Sequence, residues 1–105
     1  MSDIAAKPAL SPGELEALRA LLAAHVPQCK AVVFGSRAKG TANPCSDLDL
    51  ALIGPEKLAP GVLSDLRYAF MESDLPFRVD VLDYHAVPGH FRQAMDEGVV
   101  IKPNA

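Results

Sequence analysis

The fold is decided by two short stretches of sequence, Ala31-Val32-Val33-Phe34-Gly35-Ser36 and, after ten intervening residues, Asp47-Leu48-Asp49-Leu50-Ala51-Leu52-Ile53. Each contains a run of β-branched, aromatic or aliphatic side chains that stops at a glycine, which is typical of a short buried strand. We therefore predict one strand over residues 31–34 and a second over residues 47–53, joined by a loop rich in turn-forming residues.

A helix is predicted before the first of these strands. Ser11 can cap it, Pro12 suits its first position, and Glu14 completes a capping box three residues after Ser11. Leucines then recur at helical spacing, and Pro27 enforces a stop near His25. This helix is expected to cover one face of the sheet.

The rest of the chain continues the alternation of helix and strand. Apolar periodicity predicts a helix over residues 61–73, a strand over 77–82, a helix over 88–97 in which Gly98 takes the left-handed terminating position, and a strand over 99–101. The predicted fold class is therefore α/β or α+β, a small mixed sheet flanked by helices. Residues 10–105 are expected to form one domain, preceded by a flexible N-terminus at 1–9.

Length and charge exclude several classes of function. The chain has 105 residues and a formal net charge of −3, with a pI near 5.5, so it lacks a broad basic surface for nucleic acid and no direct nucleic-acid partner is expected. No apolar run approaches the roughly 20 residues that span a bilayer, and the N-terminus does not resemble a signal peptide. Together with two cysteines without metal-type spacing, this predicts a cytoplasmic protein with no membrane association.

Three carboxylates are candidates for the chemistry. Asp47 and Asp49 lie two apart on a predicted strand, so both side chains point to the same face. Asp80 lies within an apolar strand, where a charge is costly unless it is paired or bound to a metal. If the third strand neighbours the second, the three acids converge and can hold two Mg²⁺ ions, as in phosphoryl-type transfer.

A phosphate-binding turn is predicted at the end of the first strand. Gly35 lets main-chain N–H groups approach an anion, and Ser36 adds a hydroxyl at a predicted helix N-terminus. Arg37 and Lys39 can neutralise further phosphate charge. The segment is not a P-loop, because Gly40 is followed by Thr41 instead of the lysine that a P-loop requires.

Gly35-Ser36 followed by Asp47-x-Asp49 resembles the signature of the DNA polymerase β-type nucleotidyltransferase superfamily, and the surrounding sequence is similar to its smallest branch, the minimal nucleotidyltransferase (MNT) domains. The resemblance implies the polymerase β-like fold and ATP as the nucleotide donor. It assigns phosphate binding to Gly35 and Ser36, metal binding to Asp47, Asp49 and Asp80, and activation of the acceptor hydroxyl to Asp80.

The resemblance also implies a partner. MNT domains of this kind are antitoxins of toxin–antitoxin systems that transfer AMP to a tyrosine of a HEPN-domain ribonuclease toxin. We therefore expect a Mg²⁺-dependent protein adenylyltransferase that forms an oligomer, either with itself or with its partner. A small domain leaves no segment for binding an acceptor, which agrees with an acceptor supplied from outside.

Alternatives remain open from the sequence alone. The chain could neutralise the HEPN toxin by complex formation without catalysis, or adenylylate a small molecule of the aminoglycoside type. Asp80 could instead pair with Arg78 or cap a helix, and Asp83 is a competing acid for which a turn role at the strand end is expected.

Overall fold

The structure is a computed structural model and describes residues 10–35 and 47–101. These residues contain seven helices and strands: α1 (Pro12–His25), β1 (Lys30–Phe34), β2 (Leu48–Ile53), α2 (Pro60–Met71), β3 (Val79–Asp83), α3 (Gly89–Asp96) and β4 (Val99–Ile101). Their order confirms the predicted alternation, with bounds that differ by a few residues from those expected from the sequence.

The four strands form one mixed sheet in the order β3-β2-β1-β4. β1 pairs antiparallel with both β2 and β4, whereas β2 and β3 are parallel. Parallel neighbours need a crossover connection, and α2 provides it between β2 and β3. The predicted mixed sheet flanked by helices is therefore confirmed, and β3 forms one edge of the sheet.

The start of α1 shows how local sequence fixes an element. The Ser11 hydroxyl accepts a hydrogen bond from the Glu14 N–H at 3.2 Å, and the Ser11 N–H donates to the Glu14 carboxylate at 3.0 Å. This is the predicted capping box, which pairs two main-chain donors that the helix itself leaves without partners.

Most of the hydrophobic core lies between one face of the sheet and helices α1 and α2. Sheet residues of this face alternate along the strands, as the two-residue period requires. They pack against the apolar sides of both helices, and the buried members include Leu18, Leu22, Ala31, Val33, Leu48, Leu50, Leu52, Leu66, Phe70, Val81 and Ile101.

The opposite face of the sheet carries a much smaller core under α3. Its buried members are Val32, Phe34, Ala51 and Met95. Because α3 has eight residues, it is too short to cover the whole of this face. Asp49 and Asp80 alternate with the residues of the main core and therefore belong to this thinly covered face.

A hydrogen-bond network fixes the end of β3 that lies away from these two acids. Asp83 is only 3% exposed and accepts hydrogen bonds from the N–H groups of Leu58, at 2.8 Å, and His85, at 3.0 Å. The His85 ring contacts the Gly54 carbonyl at 2.7 Å. Asp83 therefore has the turn role expected from the sequence, because its carboxylate satisfies main-chain donors.

The conformation expected for Gly98 is wrong. Among the described glycines, Gly35 is the one with a positive φ, so Gly98 does not take the left-handed position. Gly98 is needed for space instead, because a Cβ atom there would collide with the Val33 carbonyl oxygen and the Val32 side chain. The close approach between the end of α3 and β1 explains the glycine.

Replacing Gly98 by alanine is expected to lower the free energy of unfolding by about 2 kcal/mol or more, because the added carbon must displace the main chain of β1. The matched control is Gly61→Ala within α2, where nothing lies within 4 Å of the added Cβ and alanine is favoured by roughly 0.5–1 kcal/mol. Urea unfolding of both variants measures the difference. Equal stabilities would contradict the packing explanation.

Of the helices that the structure describes, none combines the length and the apolar character needed to cross a membrane.

Candidate active site

Two acidic residues face each other where β2 and β3 begin. The parallel register places Asp49 directly opposite Asp80. Their neighbours Leu48, Leu50 and Val81 are buried in the main core on the other side of the sheet. Burial of these apolar residues fixes the register, because a slip by one residue would expose all of them. The strand adjacency on which convergence of the acids depends is therefore present.

The pKa of Asp49 responds to both of the other acids. Its pKa is raised above its ordinary value, first by partial burial and then by the negative charges of Asp80 and Asp47. Asp47 is exposed and directly precedes β2. Asp49 is therefore opposite Asp80 by strand register and two residues from Asp47 along the chain.

Gly35 closes this region from the side of β1. It follows Phe34, which pairs with Asp49 across β1 and β2, and it has a φ of +76°. A Cβ atom at Gly35 would collide with the Asp49 carboxylate. Glycine is thus required twice, by its left-handed backbone and by its contact with the acid.

Three of the predicted phosphate-binding residues, Ser36, Arg37 and Lys39, lie outside the described residues. Of the predicted site, the structure therefore brings together Gly35, Asp47, Asp49 and Asp80.

The donor set fits a hard divalent cation such as Mg²⁺, which prefers carboxylate oxygens. Within residues 10–35 and 47–101, no group of three His, Cys, Asp or Glu side chains is already arranged to hold a metal ion. The three acids are nevertheless close enough for their charges to disfavour ionisation of Asp49. A cation between them would relieve that repulsion, so the residues present fit a metal.

The position of Asp80 answers one of its sequence alternatives, the helix cap. Asp80 lies within β3 opposite Asp49, not at a helix start. Arg78 precedes the strand and lines a cleft together with Asp80, outside the sheet edge.

Sequence reasoning missed this cleft and its other arginine, Arg67, which donates to the Val81 carbonyl at 3.0 Å. Only the position of β3 at the sheet edge makes that contact visible.

A mixed sheet with a glycine turn after one strand and acids on the next two is the arrangement that the sequence predicts for a nucleotidyltransferase site. The chain belongs to the polymerase beta nucleotidyltransferase family, whose profile matches residues 16–104. It is therefore a nucleotidyltransferase by fold and by family.

One protein and two solved structures illustrate what the chain is similar to within this family and fold. The chain is 42% identical over 88 residues to the probable protein adenylyltransferase MntA of Haemophilus influenzae, a match that covers 84% of this chain and 77% of that protein. Its fold is similar to a chain of a toxin–antitoxin crystal structure with AMP-PNP, with a TM-score of 0.68, 24% identity and coverage of 82% and 69% of the two chains. A toxin–antitoxin MntA–HepT structure gives a TM-score of 0.62 at 20% identity, covering 83% and 68%.

The raised pKa of Asp49 predicts that its charge opposes folding. Because the folded-state pKa exceeds the unfolded one, the protonated carboxyl favours the fold at low pH, and this contribution is lost as the pH rises through the folded-state pKa. At pH 7 without metal, Asp49→Asn should raise the free energy of unfolding, by about 1 kcal/mol or less since the group is partly solvated.

The measurement is urea unfolding between pH 3 and pH 7 for the wild type, Asp49→Asn and the exposed control Asp65→Asn. The difference in free energy of unfolding between Asp49→Asn and the wild type should shrink as the pH falls toward about 3.9, the pKa of an unfolded aspartate. Asp65→Asn should change stability little at any pH, as is usual for exposed charges. An Asp49→Asn variant that is less stable than the wild type at pH 7 would contradict the account.

Proposed function

We propose that this chain transfers AMP from ATP to a tyrosine hydroxyl of a cognate HEPN-domain ribonuclease toxin, and so acts as its antitoxin. The observation that carries the proposal is the pairing of Asp49 with Asp80 beside the Gly35 turn. Further support comes from the 42% identical relative named as a probable protein adenylyltransferase, and from toxin–antitoxin complexes with the same fold, one of them with AMP-PNP.

Two Mg²⁺ ions are proposed to bind between Asp47, Asp49 and Asp80. When bound, such ions neutralise the charge on the attacking and leaving oxygens of an in-line displacement. Asp47 and Asp49 would contribute to holding both ions, and Asp80 to holding one, where together they would supply the charge that such ions need.

The Gly35 turn is proposed to hold the triphosphate. Its main chain, which has no Cβ in the way, can approach phosphate oxygens closely, and the Ser36 hydroxyl adds a donor. Arg37 and Lys39 are proposed to neutralise the charge of the leaving pyrophosphate. The acceptor oxygen would then approach the α-phosphorus from the side opposite the leaving pyrophosphate.

Asp80 is proposed to orient the acceptor hydroxyl and to take its proton. The acceptor oxygen forms a bond with the α-phosphorus while the bond to the pyrophosphate oxygen breaks. The products are an AMP ester of the acceptor and free pyrophosphate. Asp80 suits this role because β3 is an edge strand of the described sheet, so a partner can come close to it there.

Residues 10–105 are proposed to form one catalytic domain that works in a complex with its partner in the cytoplasm. We assign donor and metal binding to this domain, whereas the acceptor comes with the second protein. A HEPN-like helical protein with an Arg-x₄-His stretch, if encoded in the adjacent reading frame, would be the candidate partner.

The direct test is to incubate the chain with ATP, Mg²⁺ and that HEPN protein and to weigh the HEPN protein by intact mass spectrometry. The expected result is a mass gain of one or more AMP groups on a tyrosine, lost when Mg²⁺ is chelated. Asp49→Asn and Asp80→Asn should slow the transfer by about 100-fold or more, since each removes a group that acts at the reaction centre.

Asp65→Asn is the matched control, because this exposed acid of α2 lies away from the site and should transfer AMP at the wild-type rate. If the toxin is inhibited without any mass gain, and Asp49→Asn inhibits it equally well, the chain acts by complex formation alone. That outcome would sink the catalytic proposal.

A further inference from the structure

A cleft of about 400 Å³ lies between the C-terminal half of α2 and the outer edge of β3. On the helix side it is lined by Arg67, Phe70 and Met71. Met71 is 73% exposed, so its side chain offers apolar surface at the mouth of the cleft. The cleft therefore combines apolar surface with a cation at the margin of the sheet.

The strand side of the cleft offers main-chain hydrogen-bonding groups. The Arg78 carbonyl accepts from Leu48 of β2, and the Tyr84 N–H donates to Leu52 of β2. Residues alternate in direction along a parallel pair, so the main-chain groups of Val79 and Val81 point away from β2 and into the cleft. The bond from Arg67 to the Val81 carbonyl agrees with this direction.

The charge of the cleft is mainly positive. Arg67 and Arg78 are both exposed and both line it. The bond to Val81 uses one N–H of Arg67, and a guanidinium has five, so donors remain for a second partner. Asp80 is the single acid among the lining residues, and it is the one assigned to the metal and the acceptor.

The cleft is continuous with the active site through Asp80, which belongs to both. A segment lying along the β3 edge would pass directly beside this carboxylate. Edge strands are ready templates for pairing with an extended peptide, in which main-chain bonds give affinity and side-chain pockets give specificity.

We propose that this cleft is the docking site of the acceptor protein, and that its occupant is an extended, acidic segment of that protein that pairs with the β3 edge and brings its hydroxyl group to Asp80. The apolar contact is made with Met71, and the acidic side chains meet Arg67 and Arg78. The inference rests on the proposed function, since it names how the acceptor of that same site is recognised.

Two variants test the cleft, each with a matched control. Met71→Asp and Arg78→Glu should weaken binding of the purified HEPN protein at least tenfold in calorimetry, and raise the KM for it in AMP transfer with little change in kcat. Tyr68→Asp, at a residue of α2 that is 61% exposed but does not line the cleft, and Lys57→Glu, at an exposed cation elsewhere, should stay within twofold of the wild type.

Folding is checked by the binding of Mg²⁺ and AMP-PNP, which should be equal in all four variants and the wild type. Hydrogen exchange then tests the extended geometry, since the Val79 and Val81 amides should become protected when the HEPN protein binds. Wild-type affinity in Met71→Asp and Arg78→Glu, or unprotected Val79 and Val81 amides in the complex, would overturn the docking proposal.

The same experiments distinguish failure of the AMP-transfer proposal from failure of the docking proposal. If the two cleft variants lose binding while the wild type binds its partner without transferring AMP, the docking site stands and the transfer reaction is wrong. If AMP transfer proceeds equally in the wild type and both cleft variants, the reaction stands and the docking site is wrong.

Discussion

Burial of one face of the sheet holds like charges close together on the other face. Asp49 and Asp80 lie opposite each other across the parallel pair β2 and β3, and Asp47 directly precedes β2. Left to themselves, carboxylates in such positions would repel and separate. They are held because alternate residues of the same strands, such as Leu48 and Leu50, are fully buried in the main core. Burial of one face of the sheet thus maintains an unfavourable arrangement on the other.

The described residues cover the two faces of the sheet unequally. Helices α1 and α2 bury a large core, which supplies the stability of a small domain. Among residues 10–35 and 47–101, the face under α3 carries a smaller cluster, and Asp49 and Asp80 lie on that face. The sheet therefore separates stability from chemistry, one on each side.

The sequence predicts the elements and their order because capping, prolines and apolar periodicity are local signals. Gly35 and Asp49 could be predicted as neighbours only through the family pattern, and the position of Asp80 needed the strand order, which is a tertiary property. The conformation of Gly98 was mispredicted because a glycine is needed there for close packing against Val33. No local sequence pattern encodes that contact. The Arg67 contact and the cleft were missed for the same reason, since both depend on which strand forms the edge.

The central claim is that the three carboxylates beside Gly35 bind the metal that serves AMP transfer. Crystals of the chain with its HEPN partner, grown with Mn²⁺ and AMP-PNP, test it most directly through anomalous diffraction. The account predicts manganese peaks at coordination distance from carboxylate oxygens of Asp47, Asp49 and Asp80, with the phosphates on the Gly35 side. Bound nucleotide without manganese between these residues, or manganese at a different group of ligands, would contradict it.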